Sequence, residues 1–143
     1  MTQNALTLQE TVLEVQRFHE TFGLPVAHAP VAELPRAVLS LRLKLLQEEL
    51  DEYREAAEAG DLVAIADALT DLLYVLFGAY VSHGLQDLAT ELFVEVQRSN
   101  MSKLDEAGRP VVRADGKILK SALFSEPDLA AILARHADRR PEE

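Results

Sequence analysis

An all-α fold follows from three observations. Apolar residues recur at intervals of three and four along most of the chain. Gly23, Gly60, Gly84 and the trio Pro25, Pro30 and Pro35 punctuate those stretches at their ends. The β-prone residues of the segment 104–124 form only two short pairs, Val111-Val112 and Ile118-Leu119. The pattern predicts a bundle of four to five helices with one long basic loop or small hairpin.

The elements follow in order. Leu6, Val12, Leu13, Val15, Phe18 and Phe22 place a first helix over 6–22, stopped by Gly23. The prolines make 23–35 an extended loop. A long second helix runs over 36–59 and ends at Gly60; Asp61 then caps a third over 62–83, which Gly84 terminates. A fourth helix is expected over 85–99. Asp115-Gly116, between the two β-prone pairs, marks a hairpin turn or ordered loop. A short last helix is expected over 127–136, with Ser125 or Glu126 near its start, and 138–143 should fray.

At 143 residues the chain fits one domain, 1–143. Its net charge is −10, from 24 acids and 14 bases, so it should repel a duplex nucleic-acid backbone. A small anion carried with metal ions remains compatible, because a divalent cation inverts the local charge. With no cysteine, disulfides, thiolate metal sites and a cysteine nucleophile are excluded. The N-terminus lacks a basic stretch followed by an apolar core, and the uninterrupted apolar run Leu72–Val81 is too short to span a bilayer. The expectation is a cytoplasmic protein with no membrane partner.

The acids of the second helix test its orientation. At about 100° per residue, Leu39, Leu43, Leu46, Leu50, Tyr53 and Ala57 share one arc, and Val38, Leu41, Leu45 and Ala56 form a second apolar group. Glu49 falls between the two, Glu52 within the second, and Glu48 at its edge. Asp51 and Glu55, further round with Lys44, are expected to face solvent. Glu49 and Glu52 therefore interrupt an apolar arc and are neighbours in space.

The third helix is apolar at nearly every position and is expected to be buried almost all round. Its only acids, Asp67 and Asp71, share one side, and Thr70 and Tyr74 extend the stripe. Carboxylates in such surroundings need a cation or an ion-pair partner. The third helix has no base to offer. Joined by the short turn at Gly60-Asp61, the two helices should run antiparallel and bring Glu48, Glu49, Glu52, Asp67 and Asp71 together as an all-oxygen site. Such ligands select magnesium, with manganese as a substitute. The four histidines show no metal-ligand spacing and read as surface or loop residues.

No glycine-rich phosphate loop is present. A nucleotide would instead be held through metals bridging its phosphate oxygens, with cations supplying the rest. Arg98, Asn100 and Lys103 near the end of the fourth helix, and Arg109, Arg113, Lys117 and Lys120 in the loop, provide them. Metals would activate water, and Glu48, offset from Glu49 and Glu52, would be the general base.

The segment QEELDE, with Glu48, Glu49 and Glu52, resembles the E-E-x-x-E motif of the MazG-like all-α nucleoside triphosphate pyrophosphohydrolases. Their second motif, E-x-x-D, corresponds to ALTD, where Asp71 fits but Ala68 stands in place of the acid and Asp67 substitutes one residue earlier. QRSNMSKL, ADGKILK and FHETFGLP resemble the branch of dimeric dUTPases and phosphoribosyl-ATP diphosphatases. The resemblance implies Glu49, Glu52, Asp67 and Asp71 as metal ligands and Asn100, Lys103, Lys117, Lys120 and His19 as substrate contacts. It also implies cleavage between the α and β phosphates, dUTP as a leading substrate, and a homodimer or homotetramer. Phosphoribosyl-ATP hydrolysis is the second reading. A metal-binding or nucleotide-binding scaffold without catalysis, favoured by Ala68, is the third.

Overall fold

The computed structural model describes residues 5–139. Five helices are present among them: α1 Leu8–Thr21, α2 Arg36–Ala59, α3 Leu62–Ser82, α4 Ala89–Met101 and α5 Leu129–Arg139. The strands β1 Val111–Val112 and β2 Ile118–Leu119 pair antiparallel, as the two β-prone pairs predict. The chain divides into two compact units, Met1–Ala89 and Thr90–Glu143, taken in turn below.

In the first unit α1 begins two residues later than its periodicity suggests. Thr7 accepts from the Glu10 backbone N–H while Glu10 accepts from the Thr7 backbone N–H, a capping box that fixes the start. Val12 and Val15 on α1, Phe77 on α3 and Ala89 form the core, with Leu8 and Tyr80 packed against it. The proline loop is strapped across the end of α3. Ala27 N–H donates to Val81, Val31 N–H donates to His83, and the Gln86 side chain donates to the Ala27 carbonyl. Gly84 sits beneath this strap at φ 69°, where a Cβ would collide with the Ala29 backbone. The expected start of a fourth helix at Leu85 is instead a 3₁₀ turn at Gln86–Leu88.

A two-residue link joins α2 to α3. Gly60 at φ 68° closes α2 through its N–H to Ala56 and Ala57, and Asp61 caps α3 by accepting from Val63 and Ala64. The helices return antiparallel: Gly78 on α3 lies against Arg42 on α2, while Asp71 acts electrostatically on Glu49.

The third helix is not buried almost all round; within the chain only Ala68, Phe77, Gly78, Val81 and Ser82 are buried. Leu62, Val63, Leu69, Leu73 and Leu76 stay exposed, because α1 and α2 cover one side only. By composition Leu62–Ser82 is long and apolar enough to cross a membrane, yet it packs on α1 and α2 and carries Asp67 and Asp71. On α2 only Arg42 and Ala56 are buried, whereas Leu39, Leu41, Leu43 and Leu50 remain exposed. Asp51 keeps its side chain 39% exposed, held by Gln47 and by Arg54 at 2.8 Å.

In the second unit serines organise the connection after α4. Ser99 and Ser102 donate to the Ser125 and Ser99 carbonyls, and Ser121 donates to Leu104. The last helix starts later than expected because Asp128, not Ser125 or Glu126, accepts from the Ala131 N–H. Residues 138 and 139 of the expected frayed tail are helical, and the rest lies outside the described residues.

Candidate active site

Glu49 is the focus of the carboxylate cluster. It is half-buried, and its Oε2 has no hydrogen-bond donor. Burial raises its pKa above the usual carboxylate value, and the charges of Glu52, Asp71, Glu48 and Asp67 raise it further. Those four neighbours are the residues that the helix-wheel argument brings to this site. Among the described residues Glu49, Glu52, Asp67 and Asp71 form no ion pair, whereas Glu48 lies 3.5 Å from Lys44. Glu52, Asp67 and Asp71 are exposed.

Among the described residues no three His, Asp or Glu side chains converge as a ready-made metal site. The donor set nevertheless fits a hard cation: five carboxylates, an orphaned buried oxygen, and no competing base on α3. Thr70, on the Asp67–Asp71 stripe, donates back to the Ala66 carbonyl. Tyr74 is 40% exposed, with its ring edge-on to Phe18 at 5.6 Å; burial raises its phenol pKa.

His19 departs from its expected surface position. It is 2% exposed, with Nδ1 3.0 Å from the Pro25 carbonyl and Nε2 3.5 Å from Arg42 Nη1. Periodicity alone could not separate it from Phe18 and Phe22, which are exposed. Arg42 was not singled out by sequence, yet it is buried on the face that carries Glu49 and Ala56. The available signal was its seven-residue spacing from Glu49.

The expected substrate cations lie in the second unit. Arg98 forms a fork on Glu95, with Nε and Nη2 at 2.9 and 2.8 Å, and donates to the Glu126 carbonyl. This fork, with the Asp128 N–H, pulls the Glu95 pKa down to about 2. Lys103 donates to the Asn100 side-chain oxygen at 2.8 Å, and Lys120 to Glu126 at 2.7 Å. Lys117 is exposed, its backbone N–H held by Asp115. Arg98 and Lys120 are thus engaged by acids of their own unit.

A bundle in which two antiparallel helices meet over five carboxylates is the all-α, MazG-like class of pyrophosphohydrolase fold. Residues 15–100, more than half of the chain, match the family model described as phosphoribosyl-ATP pyrophosphohydrolase, and the chain belongs to that family. Its members are hydrolases acting on phosphoric anhydrides. The chain is also 40% identical, over 68 residues, to a protein of Acanthamoeba polyphaga mimivirus described as uncharacterized. That match covers 45% of this chain and 27% of the viral protein, so the chain spans about a quarter of its relative.

Proposed function

We propose that the chain is a metal-dependent nucleoside triphosphate pyrophosphohydrolase, releasing a nucleoside monophosphate and pyrophosphate, with dUTP the first substrate to test. One observation carries this reading: Glu49 holds a buried, donorless carboxylate oxygen amid four other carboxylates. Burial and the four neighbouring carboxylates disfavour its charged form, and a bound cation would offset both.

Glu49, Glu52, Asp67 and Asp71 would hold the metal. Magnesium, or manganese in its place, would when bound polarise the phosphoryl group and lower the pKa of water. Glu48 takes the proton from the attacking water, whose oxygen bonds to the α-phosphorus as the α–β bridging bond breaks and pyrophosphate departs. Lys44 at 3.5 Å steadies that carboxylate. Asn100, Lys103, Lys117 and Lys120 are the substrate contacts we assign to the second unit, together with Arg98, and Tyr74 with His19 to the first.

Two uncovered stripes support an oligomer. Leu39, Leu43, Leu46 and Leu50 on α2, and Leu62, Ala66, Leu69, Leu73 and Leu76 on α3, both follow a/d heptad spacing. Paired between two copies they make a four-helix seam, so we propose a homodimer, or a dimer of dimers, in the cytoplasm. The family match favours phosphoribosyl-ATP as a second substrate reading. Incubation with magnesium and a panel of nucleotides, resolved by chromatography, decides among them. Monophosphate plus pyrophosphate supports the proposal; diphosphate plus phosphate means that the attacked bond is wrong. No turnover of any nucleotide points first to phosphoribosyl-ATP and then to the scaffold.

A further inference from the structure

Arg42 is 8% exposed, its Nε has no partner, and its one side-chain hydrogen bond among the described residues is to the His19 ring at 3.5 Å. A guanidinium carries five donors and stays charged, so a buried one without a carboxylate is incomplete. It lines a cavity of about 180 Å³ between α1, the proline loop, α2 and α3. Leu24, Pro25, Val38 and Leu41 form apolar walls, and Ser82 lies on the α3 side. Ser82 donates to the Gly78 carbonyl and His19 Nε2 already faces Arg42, which leaves the guanidinium as the uncommitted donor.

The cavity's position is set by the two helices. Arg42 stands seven residues before Glu49, on the same face of α2 and about 10 Å along it. Gly78, which touches Arg42, stands seven residues after Asp71, so α3 repeats the same offset. Arg42, which lines the cavity, and Glu49 therefore lie on the same face of α2, two helical turns apart. A sugar separates a nucleobase from its α-phosphate by a span of this order.

We propose that this cavity is the base pocket of the substrate, and that Arg42 selects nucleobases with an oxo group in place of an amino group on the Watson–Crick edge. The inference rests on the hydrolase reading above and adds the specificity determinant. Flat apolar walls suit the two faces of a ring, and few polar groups fix its edge. A ring carbonyl accepts from the guanidinium; an amino group there presents donor to donor and leaves the charge unpaired. A site built to hydrogen-bond one such group rejects the analogue lacking it far more strongly than a hydrophobic site rejects a missing methylene.

The test uses the whole chain with magnesium and two substrate pairs that differ by this swap, dITP against dATP and dUTP against dCTP. We expect kcat/KM to favour the oxo member of both pairs by about tenfold or more. Arg42→Met should bring each pair to within about threefold. Should that variant not fold, Leu41→Trp, from the half-exposed wall, should raise KM for every nucleotide with kcat retained. Turnover of all four nucleotides without preference overturns the pocket and leaves the hydrolase reading intact. No turnover of any of them overturns the nucleoside triphosphate reading and the pocket with it.

Discussion

Nε2 of His19 lies 3.5 Å from Nη1 of Arg42, while Nδ1 of the same ring lies 3.0 Å from the Pro25 carbonyl. A carbonyl and a guanidinium on opposite nitrogens fix the tautomer: Nδ1 carries the proton and donates to Pro25, and Nε2 accepts from Arg42. The ring is neutral. Burial first, and the Arg42 charge after it, hold its pKa below the usual histidine value, outweighing the Pro25 bond that acts the other way.

The pH dependence of stability follows from that shift. A histidine with a depressed folded pKa binds protons more readily when unfolded, so its contribution is present above about pH 6.5 and is lost as pH falls below that. Melting temperature should drop by a few degrees between about pH 7.5 and pH 5.5, and more steeply for wild type than for His19→Gln. Equal slopes in calorimetric melts would show that His19 is not the titrating group.

Much of this architecture is legible in the sequence. Helix spacing, Gly60 and Asp61 locate α2 and α3, and the wheel positions of Glu49 and Glu52 point to the carboxylate set, of which Glu49 alone is half-buried while Glu48, Glu52, Asp67 and Asp71 are exposed. What sequence conceals is which apolar stripe a single chain covers. Leu39, Leu43 and Leu50 pattern like core residues yet stand exposed, because spacing records burial without naming the partner. His19 and Arg42 are hidden for the converse reason: polar residues read as surface until tertiary packing closes over them. Asp128 escapes notice because several residues before α5 are competent caps.

Glu49 should destabilise the protein in the absence of metal. Its folded pKa is raised, so stability present below the ordinary carboxylate pKa is lost as pH rises through the folded value. At neutral pH Glu49→Gln should raise the metal-free melting temperature by a few degrees. Added magnesium should stabilise wild type and leave the variant nearly unmoved. A variant that melts below wild type without metal would contradict the reading.

Gly78 leaves room for the Arg42 guanidinium. A Cβ there would collide with Arg42 Nη1 and lie 3.2 Å from His19 Nε2. Gly78→Ala should destabilise by about 1–3 kcal/mol, the range for overpacking a closed interior, measured by denaturant titration. A neutral or stabilising effect would mean that the arginine has somewhere else to go.

The uncovered α2 and α3 stripes should bring copies together. Light scattering should give at least twice the 15.8 kDa chain mass, and Leu73→Glu, in the α3 stripe, should reduce it to one chain or precipitate the protein. A wild-type monomer at all concentrations would leave those leucines unexplained.

The central claim is that the carboxylates around Glu49 form a metal-dependent hydrolytic centre. Pyrophosphate release from dUTP by wild type and by Glu49→Gln, each with magnesium and with chelator, tests it most directly. Release by wild type with magnesium alone is expected, with a loss of about a hundredfold or more in the variant. Equal release by the variant, or release undiminished by chelator, would contradict it.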